Sequence, residues 1–100
     1  MRILLVTHDF KKIEHSTHEL GKNVIRPCLR KDHFKKSIRD FKPDVILTNG
    51  TCKDEEGRIC IFSVREELEK LKLNIPVYPI FGKKTWHSFL KIIERPKVTL

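Results

Sequence analysis

Three short polar stretches of this 100-residue sequence carry side chains that can bind an anion or transfer a proton. They are Thr7-His8-Asp9, Thr48-Asn49-Gly50 and Phe81-Gly82-Lys83-Lys84-Thr85. Each follows an apolar run that is typical of a buried strand. In a sheet of parallel strands, ligands bind in the crevice outside the carboxyl ends, particularly where the strand order reverses. The sequence therefore predicts one polar rim built from three distant segments.

The last of these stretches has the residue types of an anion site. Gly82 lets a ligand approach the backbone, the following helix start offers unpaired amide protons, and Lys83 and Lys84 add positive charge. Thr85 supplies a hydroxyl, although it also suits a plain helix N-cap. The stretch is not a P-loop, because the upstream glycine and the required Ser or Thr are missing. We predict that Asn49 and these four residues bind the ligand, with solvated lysines at a loop tip as the alternative.

His8 and Asp9 are the candidate catalytic residues. A histidine exchanges protons near neutral pH, and an adjacent carboxylate can act as its partner. His15 and His18 have a spacing that can place two imidazoles on one helical face, so a metal ion is conceivable there. No His-Glu-x-x-His pattern accompanies them, and exposed histidines on a polar helix face are the interpretation we favour. We therefore predict no metal site and no cofactor.

Composition and charge restrict the class of protein and of partner. One hundred residues, with 39% hydrophobic and 34% charged, suit a single α/β domain over residues 1–100. A net charge of +8 favours a phosphate-bearing ligand or nucleic acid. No apolar run approaches the length of a membrane span, and polar residues interrupt the opening MRILLVTHDF before it can serve as a signal sequence. We expect a cytoplasmic protein without a membrane partner, and a homodimer is left open.

The cysteines do not indicate a covalent framework. Cys28, Cys52 and Cys60 are an odd number without a Cys-x-x-Cys pair, which argues against a disulfide scaffold and against a zinc ribbon. None has an adjacent histidine base, so nucleophilic catalysis is not indicated. Reduced thiols are the favoured interpretation, and whether the cysteines meet is left open.

Short strands alternating with amphipathic helices must position these residues. Strands are predicted at 2–6, at Val24-Ile25, at 45–47 and at 75–81, and helices at 10–20, 32–41, 64–73 and around Trp86 to Ile93. Pro79 lacks an amide proton, which places its strand at or near a sheet edge. RICIF is either an extra strand or the start of the next helix, and Asn49-Gly50 ends a strand rather than turning a hairpin. The alternation predicts a small three-layer α/β sandwich with a mostly parallel four- or five-stranded sheet, flavodoxin-like or Rossmann-like.

In outline, the chain resembles a response-regulator receiver domain. RILLV is similar to the receiver's first strand, KPDVILTN to the strand that carries its phosphoacceptor, and LEKLKLNIPVYPIF to its following helix and strand. The resemblance places Asn49 at the phosphoacceptor aspartate, Thr7 and His8 at the acidic metal-binding pair, and Phe81 at a Ser or Thr. An amide cannot accept a phosphoryl group as a carboxylate does. The resemblance therefore implies the fold of that family without its phosphorelay activity.

A second resemblance is to methylglyoxal synthase. LLVTHDFKK is similar to that family's first strand and His-Asp-x-x-Lys loop, which would make His8, Asp9 and Lys12 active-site residues. The threonine-glycine phosphate loop of the family has no counterpart here. The sequence thus predicts a non-catalytic binding or regulatory module that engages a phosphate-bearing ligand or nucleic acid through strand-end loops and a basic face. The alternatives are a small enzyme acting on a phosphorylated substrate with His8 and Asp9 as an acid-base pair, and a protein-interaction domain.

Overall fold

A computed structural model of the chain describes residues 1–9 and 23–80. The elements in these ranges are β1 Arg2–Val6, β2 Val24–Cys28, α1 Phe34–Phe41, β3 Val45–Thr48, β4 Thr51–Lys53, β5 Ile59–Ile61, α2 Val64–Lys70 and β6 Val77–Pro79. A 3-10 turn at Lys31–His33 leads into α1. The helix predicted at 10–20, the predicted anion loop at 82–85, and the helix and tail after it lie outside the described residues.

Four strands form a parallel sheet in the order β2-β1-β3-β6. At the end of β1, Val6 lies opposite Cys28 of β2 on one side and opposite Thr48 of β3 on the other. Beyond β3, Pro79 of β6 lies opposite Thr48. The order of strands therefore reverses between β1 and β3, as it does in flavodoxin-like sheets. This confirms the predicted α/β class, and it places the carboxyl ends of β1, β3 and β6 at one edge.

Both faces of the two central strands are buried, which explains their unbroken apolar sequences. One face joins the core formed with α1 and α2, and its strand residues are Leu4, Val6 and Ile46. The other face forms a second cluster, whose members are Ile3, Leu5, Val45, Leu47 and Ile80. The connections through α1 and through α2 cross the sheet in the same direction, so crossovers of one hand place both helices on the same face.

The amphipathic pattern predicted for residues 32–41 forms α1. Phe34, Ile38 and Phe41 are buried at spacings of four and three residues. The helix ends at Phe41. Its C-cap residue, Lys42, has a left-handed conformation with a φ of 51°, and Pro43 follows. The outward side chains are exposed and basic, as predicted: Lys35, Lys36 and Arg39.

Ser63 is the N-cap residue of α2. Ser63 Oγ accepts a hydrogen bond from the Glu66 backbone N–H at 3.3 Å. The helix ends at Lys70, earlier than the predicted Leu73, because Lys72 turns into the left-handed region with a φ of 56°. The Leu73 N–H then bonds back to the Leu68 carbonyl at 3.0 Å, which closes the last turn.

A short antiparallel hairpin, β4–β5, corrects the sequence analysis, which had assigned no strand to TCK. Thr51–Lys53 pairs with Ile59–Ile61 of the RICIF segment, so that segment is an extra strand. Asp54 Oδ1 accepts N–H bonds from Glu56 and Arg58 in the connecting turn. The strand predicted at 75–81 is limited to Val77–Pro79, and it lies at the edge of the described sheet. None of the helices in the two described ranges is long and apolar enough to cross a bilayer.

Candidate functional site at the carboxyl edge of the sheet

The first two predicted polar segments meet where the strand order reverses. Thr7-His8-Asp9 follows β1 and Thr48-Asn49-Gly50 closes β3, which is the neighbouring strand. His8 Nδ1 forms a hydrogen bond with the hydroxyl of Thr51, just beyond the second segment. The third segment begins at Phe81, outside the described residues. The fold therefore brings His8 and the Asn49 loop together, as the parallel sheet predicted.

The hydrogen bonds at this point assign the protons. Thr51 Oγ1 donates to Asn49 Oδ1 at 2.8 Å, and Asn49 Oδ1 also accepts the Thr51 backbone N–H at 3.1 Å. A hydroxyl has one proton, so Thr51 can only accept from the imidazole, and His8 Nδ1 must carry a hydrogen. We call this arrangement the His8–Thr51–Asn49 chain. In neutral His8 the lone pair is then on Nε2, where it can accept a proton.

The loops that hold these residues are fixed by their own side chains. Thr7 Oγ1 accepts the Asp9 N–H at 3.2 Å, and Thr48 Oγ1 accepts the Gly50 N–H at 3.0 Å. Gly50 has a φ of 80°, a left-handed conformation that favours glycine. The Gly50 carbonyl also accepts the Phe62 N–H at 2.9 Å, which ties the loop to the hairpin. The polar groups are therefore positioned before any ligand arrives.

A cavity of about 290 Å³ opens beside Asn49, between the ends of β3 and β6 and the start of α2. Its lining is mixed: the polar members are Thr48, Asn49, Gly50, Ser63 and Arg65, and the apolar members are Val64, Val77 and Pro79. Arg65 is exposed, and it brings a permanently charged guanidinium to this edge. Ligand pockets usually span about 300–1,000 Å³. At about 290 Å³ the cavity lies just below this range, so only a small ligand would fit it.

A second hollow has the opposite charge. It measures about 410 Å³, and its lining includes Asp32, Asp54, Glu55 and Glu56 together with Lys31. The hydrogen bond from the Arg58 N–H lowers the pKa of Asp54, which keeps that carboxylate ionised. This hollow repels a phosphate, so an anion is favoured only at the carboxyl edge of the sheet, among these two hollows.

Only some of the site residues predicted from the sequence lie in the described part of the chain. Asn49 and Gly50 line the cavity, while Gly82, Lys83, Lys84 and Thr85 lie outside the described residues. His8 Nδ1 contacts Thr51, so the pairing of His8 with Asp9 stays a prediction. No three His, Cys, Asp or Glu side chains within residues 1–9 and 23–80 are arranged to hold a metal ion. His15 and His18 are not among the residues described.

Three residues of this candidate site were not predicted from the sequence: Thr51, Ser63 and Arg65. The predicted helix at 64–73 included Arg65 without giving it a role. A usable signal was present, because in a parallel sheet the helix after a strand starts at that strand's carboxyl end. That rule places residues 63–65 at the rim. Thr51 has no such signal, since its contact with His8 spans 43 residues.

Comparisons of the chain with protein-family models, with curated proteins and with solved structures found no match. The resemblances to receiver domains and to methylglyoxal synthase therefore stay predictions, and the site must be interpreted from its own geometry.

Proposed function

We propose that the chain is a non-catalytic binding module for a small phosphate-bearing ligand held in the cavity beside Asn49. One observation carries the proposal: the carboxyl edge of the parallel sheet has a cavity of about 290 Å³ whose lining includes Arg65, Ser63 and Asn49. This edge is where open α/β sheets bind their ligands. The net charge of +8 adds a long-range attraction for anions.

The lining chemistry matches a phosphate group. Arg65 presents a planar fork of N–H donors, which suits two phosphate oxygens at once. Asn49 Oδ1 is occupied by Thr51, so the Asn49 amide group offers its Nδ2 protons as donors. Gly50 has no side chain to hinder a close approach, and the Ser63 hydroxyl can donate as well. These donors are neutral or positive, and no carboxylate belongs to the cavity lining.

The test is calorimetry at low salt, with inorganic phosphate and a nucleoside 5′-monophosphate as probes. Arg65→Gln removes charge-assisted hydrogen bonds that contribute about 1.5–3 kcal/mol, so its affinity should fall by roughly tenfold or more. Arg39→Gln on α1 is the matched control, because Arg39 is exposed and its substitution changes the net charge by the same amount. The proposal fails if the parent binds neither probe, or if both variants weaken binding equally.

A small enzyme acting on a phosphorylated substrate is the second candidate, and the His8–Thr51–Asn49 chain favours it. A catalytic base is typically oriented by a third group, and Thr51 does this for His8. Asn49 belongs both to this chain and to the cavity lining, so a ligand's phosphate would lie near the imidazole. His8 would then act as the general acid or base through Nε2.

Turnover of phosphorylated metabolites separates the two candidates. The enzyme candidate predicts activity in the parent that His8→Gln abolishes while phosphate binding persists. If the parent binds phosphate and turns over no compound in such a screen, the non-catalytic module stands alone. Activity that survives in His8→Gln would eliminate His8 as the acid or base.

A further inference from the structure

Three thiols that are distant in sequence come together beneath the candidate site. Cys52 of β4 lies directly opposite Cys60 of β5, and Cys60 Sγ is 3.4 Å from the Cys52 carbonyl oxygen. Cys52 Sγ is 3.9 Å from the carbonyl oxygen of Cys28, which ends β2. Cys52 is therefore the middle member of the cluster, and all three thiols are free.

The three thiols differ in their access to solvent. Cys28 is 2% exposed and Cys52 is fully buried, whereas Cys60 is partly exposed. Opposite residues of an antiparallel ladder point to the same face, with Cβ atoms about 4.5–5.5 Å apart. Cys52 and Cys60 belong to the wider, hydrogen-bonded kind of pair, because the Phe62 N–H bonds to the Gly50 carbonyl and the Asp54 N–H bonds to the Arg58 carbonyl. A disulfide needs Cβ atoms about 3.5–4.5 Å apart, so the two strands must approach by about 1 Å or more for Cys52 and Cys60 to link. Among the three, Cys60 is the thiol that a dissolved oxidant meets first.

We propose that Cys60, Cys52 and Cys28 form a thiol relay in which a hydroperoxide oxidises Cys60 and the oxidation ends as a disulfide between Cys28 and Cys52. In the first step the Cys60 thiolate attacks the terminal peroxide oxygen and the O–O bond breaks. The products are a sulfenic acid and, after protonation, an alcohol or water.

The next two steps move the oxidation inward. Cys52 attacks the Cys60 sulfur, the S–O bond breaks, and the hydroxide leaves as water with the Cys52 proton. Cys28 then attacks the Cys52 sulfur, which releases Cys60 as a thiolate and forms the buried disulfide. In sum, two thiols and one hydroperoxide give one disulfide, one alcohol and one water. The two electrons lost by the thiols reduce the peroxide.

The lowered pKa of Cys28 supports the last step of the relay. The neighbouring Cys52 thiol lowers the pKa of Cys28, and the neighbouring Cys28 thiol raises the pKa of Cys52. Cys28 is therefore the better thiolate of the buried pair, as the last step requires.

The buried disulfide would lie next to the His8–Thr51–Asn49 chain. The Cys28 carbonyl accepts the Thr7 N–H at 3.2 Å, and Thr7 precedes His8. Cys52 follows Thr51 directly. The bond would therefore join the end of β2 to β4 beneath the loops that form the site.

Peptide mapping of the full chain tests the relay without any ligand. The protein is treated with hydrogen peroxide, its remaining thiols are blocked with N-ethylmaleimide, and it is digested with trypsin without reduction. Cleavage after Arg30, Lys53 and Arg58 leaves each cysteine in its own peptide. The expected product links the Cys28 and Cys52 peptides and retains a Cys60 that N-ethylmaleimide can label.

Serine variants then locate each step. Cys60→Ser should slow the linkage several-fold, and Cys28→Ser should stop at a Cys52–Cys60 link. The relay is overturned if the peroxide-treated parent carries sulfinic acid at Cys60 and no linked peptides, or if Cys60→Ser links at the parental rate. Because Cys60 is partly exposed, its variant retains the buried core. The product map of the parent decides the outcome even where a buried serine unfolds the chain.

Discussion

Replacing Thr51 by valine removes one hydroxyl and keeps the branched shape of the side chain, so it isolates the His8–Thr51–Asn49 chain. The change removes the bond to His8 Nδ1 and the 2.8 Å bond to Asn49 Oδ1. Each such bond contributes about 0.5–1.5 kcal/mol. We therefore expect the free energy of unfolding to fall by about 1–3 kcal/mol, with the lower part favoured because the site is only half-buried.

Urea unfolding measures this loss, and an unchanged m-value shows that the compactness of the two end states is the same. Thr48→Val is the matched control, since Thr48 Oγ1 makes one bond, to the Gly50 N–H, and none that reaches His8. A double-mutant cycle of Thr51→Val with His8→Phe should give a coupling energy of about 0.5–1.5 kcal/mol. The same cycle with Thr48→Val should give a value near zero. Equal coupling energies in the two cycles would refute the hydrogen bond between His8 and Thr51.

Two further predictions concern stability. Phe34→Ala should lower the free energy of unfolding by about 3–5 kcal/mol, because Phe34 is 2% exposed and packs edge-on against Phe62 with ring centroids 5.1 Å apart. Lys35→Ala, at an exposed position of the same helix, should change the free energy of unfolding by less than about 0.5 kcal/mol. Similar losses for the two variants in urea unfolding would contradict the assigned core. The pKa of Asp54 is lowered in the folded protein, so the parent should be more stable than Asp54→Asn above about pH 4 and should lose that advantage as the pH falls further. A difference that does not vary with pH in chemical unfolding would contradict the role of the ionised Asp54.

The main elements of the fold could be predicted because their signals are local. The apolar run of β1 and the spacing of Phe34, Ile38 and Phe41 are patterns within a single segment, and the side chains that form them are buried. Pro79 similarly marked an edge strand through its missing amide proton. The β4–β5 hairpin could not be predicted, because its strands have three residues each and only Cys52 is fully buried. Its pairing depends on a long-range contact, the Lys53 N–H to the Leu29 carbonyl at 2.8 Å.

For the candidate site, the sequence predicted the position in the fold but not all of the residues. The rule that parallel strands end at one edge brought His8 and Asn49 together correctly. Thr51, which lies between them, could not be predicted, because its contact with His8 is long-range and leaves no local sequence pattern. The role of Arg65 was not predicted for a different reason: a charged residue in the first turn of a helix is ordinarily a solvent-exposed surface residue.

An NMR titration of isotope-labelled protein with inorganic phosphate at low salt tests the central claim most directly. Phosphate bound beside Asn49 should cause saturable shifts of the backbone amides at Asn49 and Gly50 and of the Arg65 side chain, and it should leave the exposed face of α1 unaffected. Shifts that are absent at these positions, or that appear instead around Lys35, Lys36 and Arg39, would contradict the central claim.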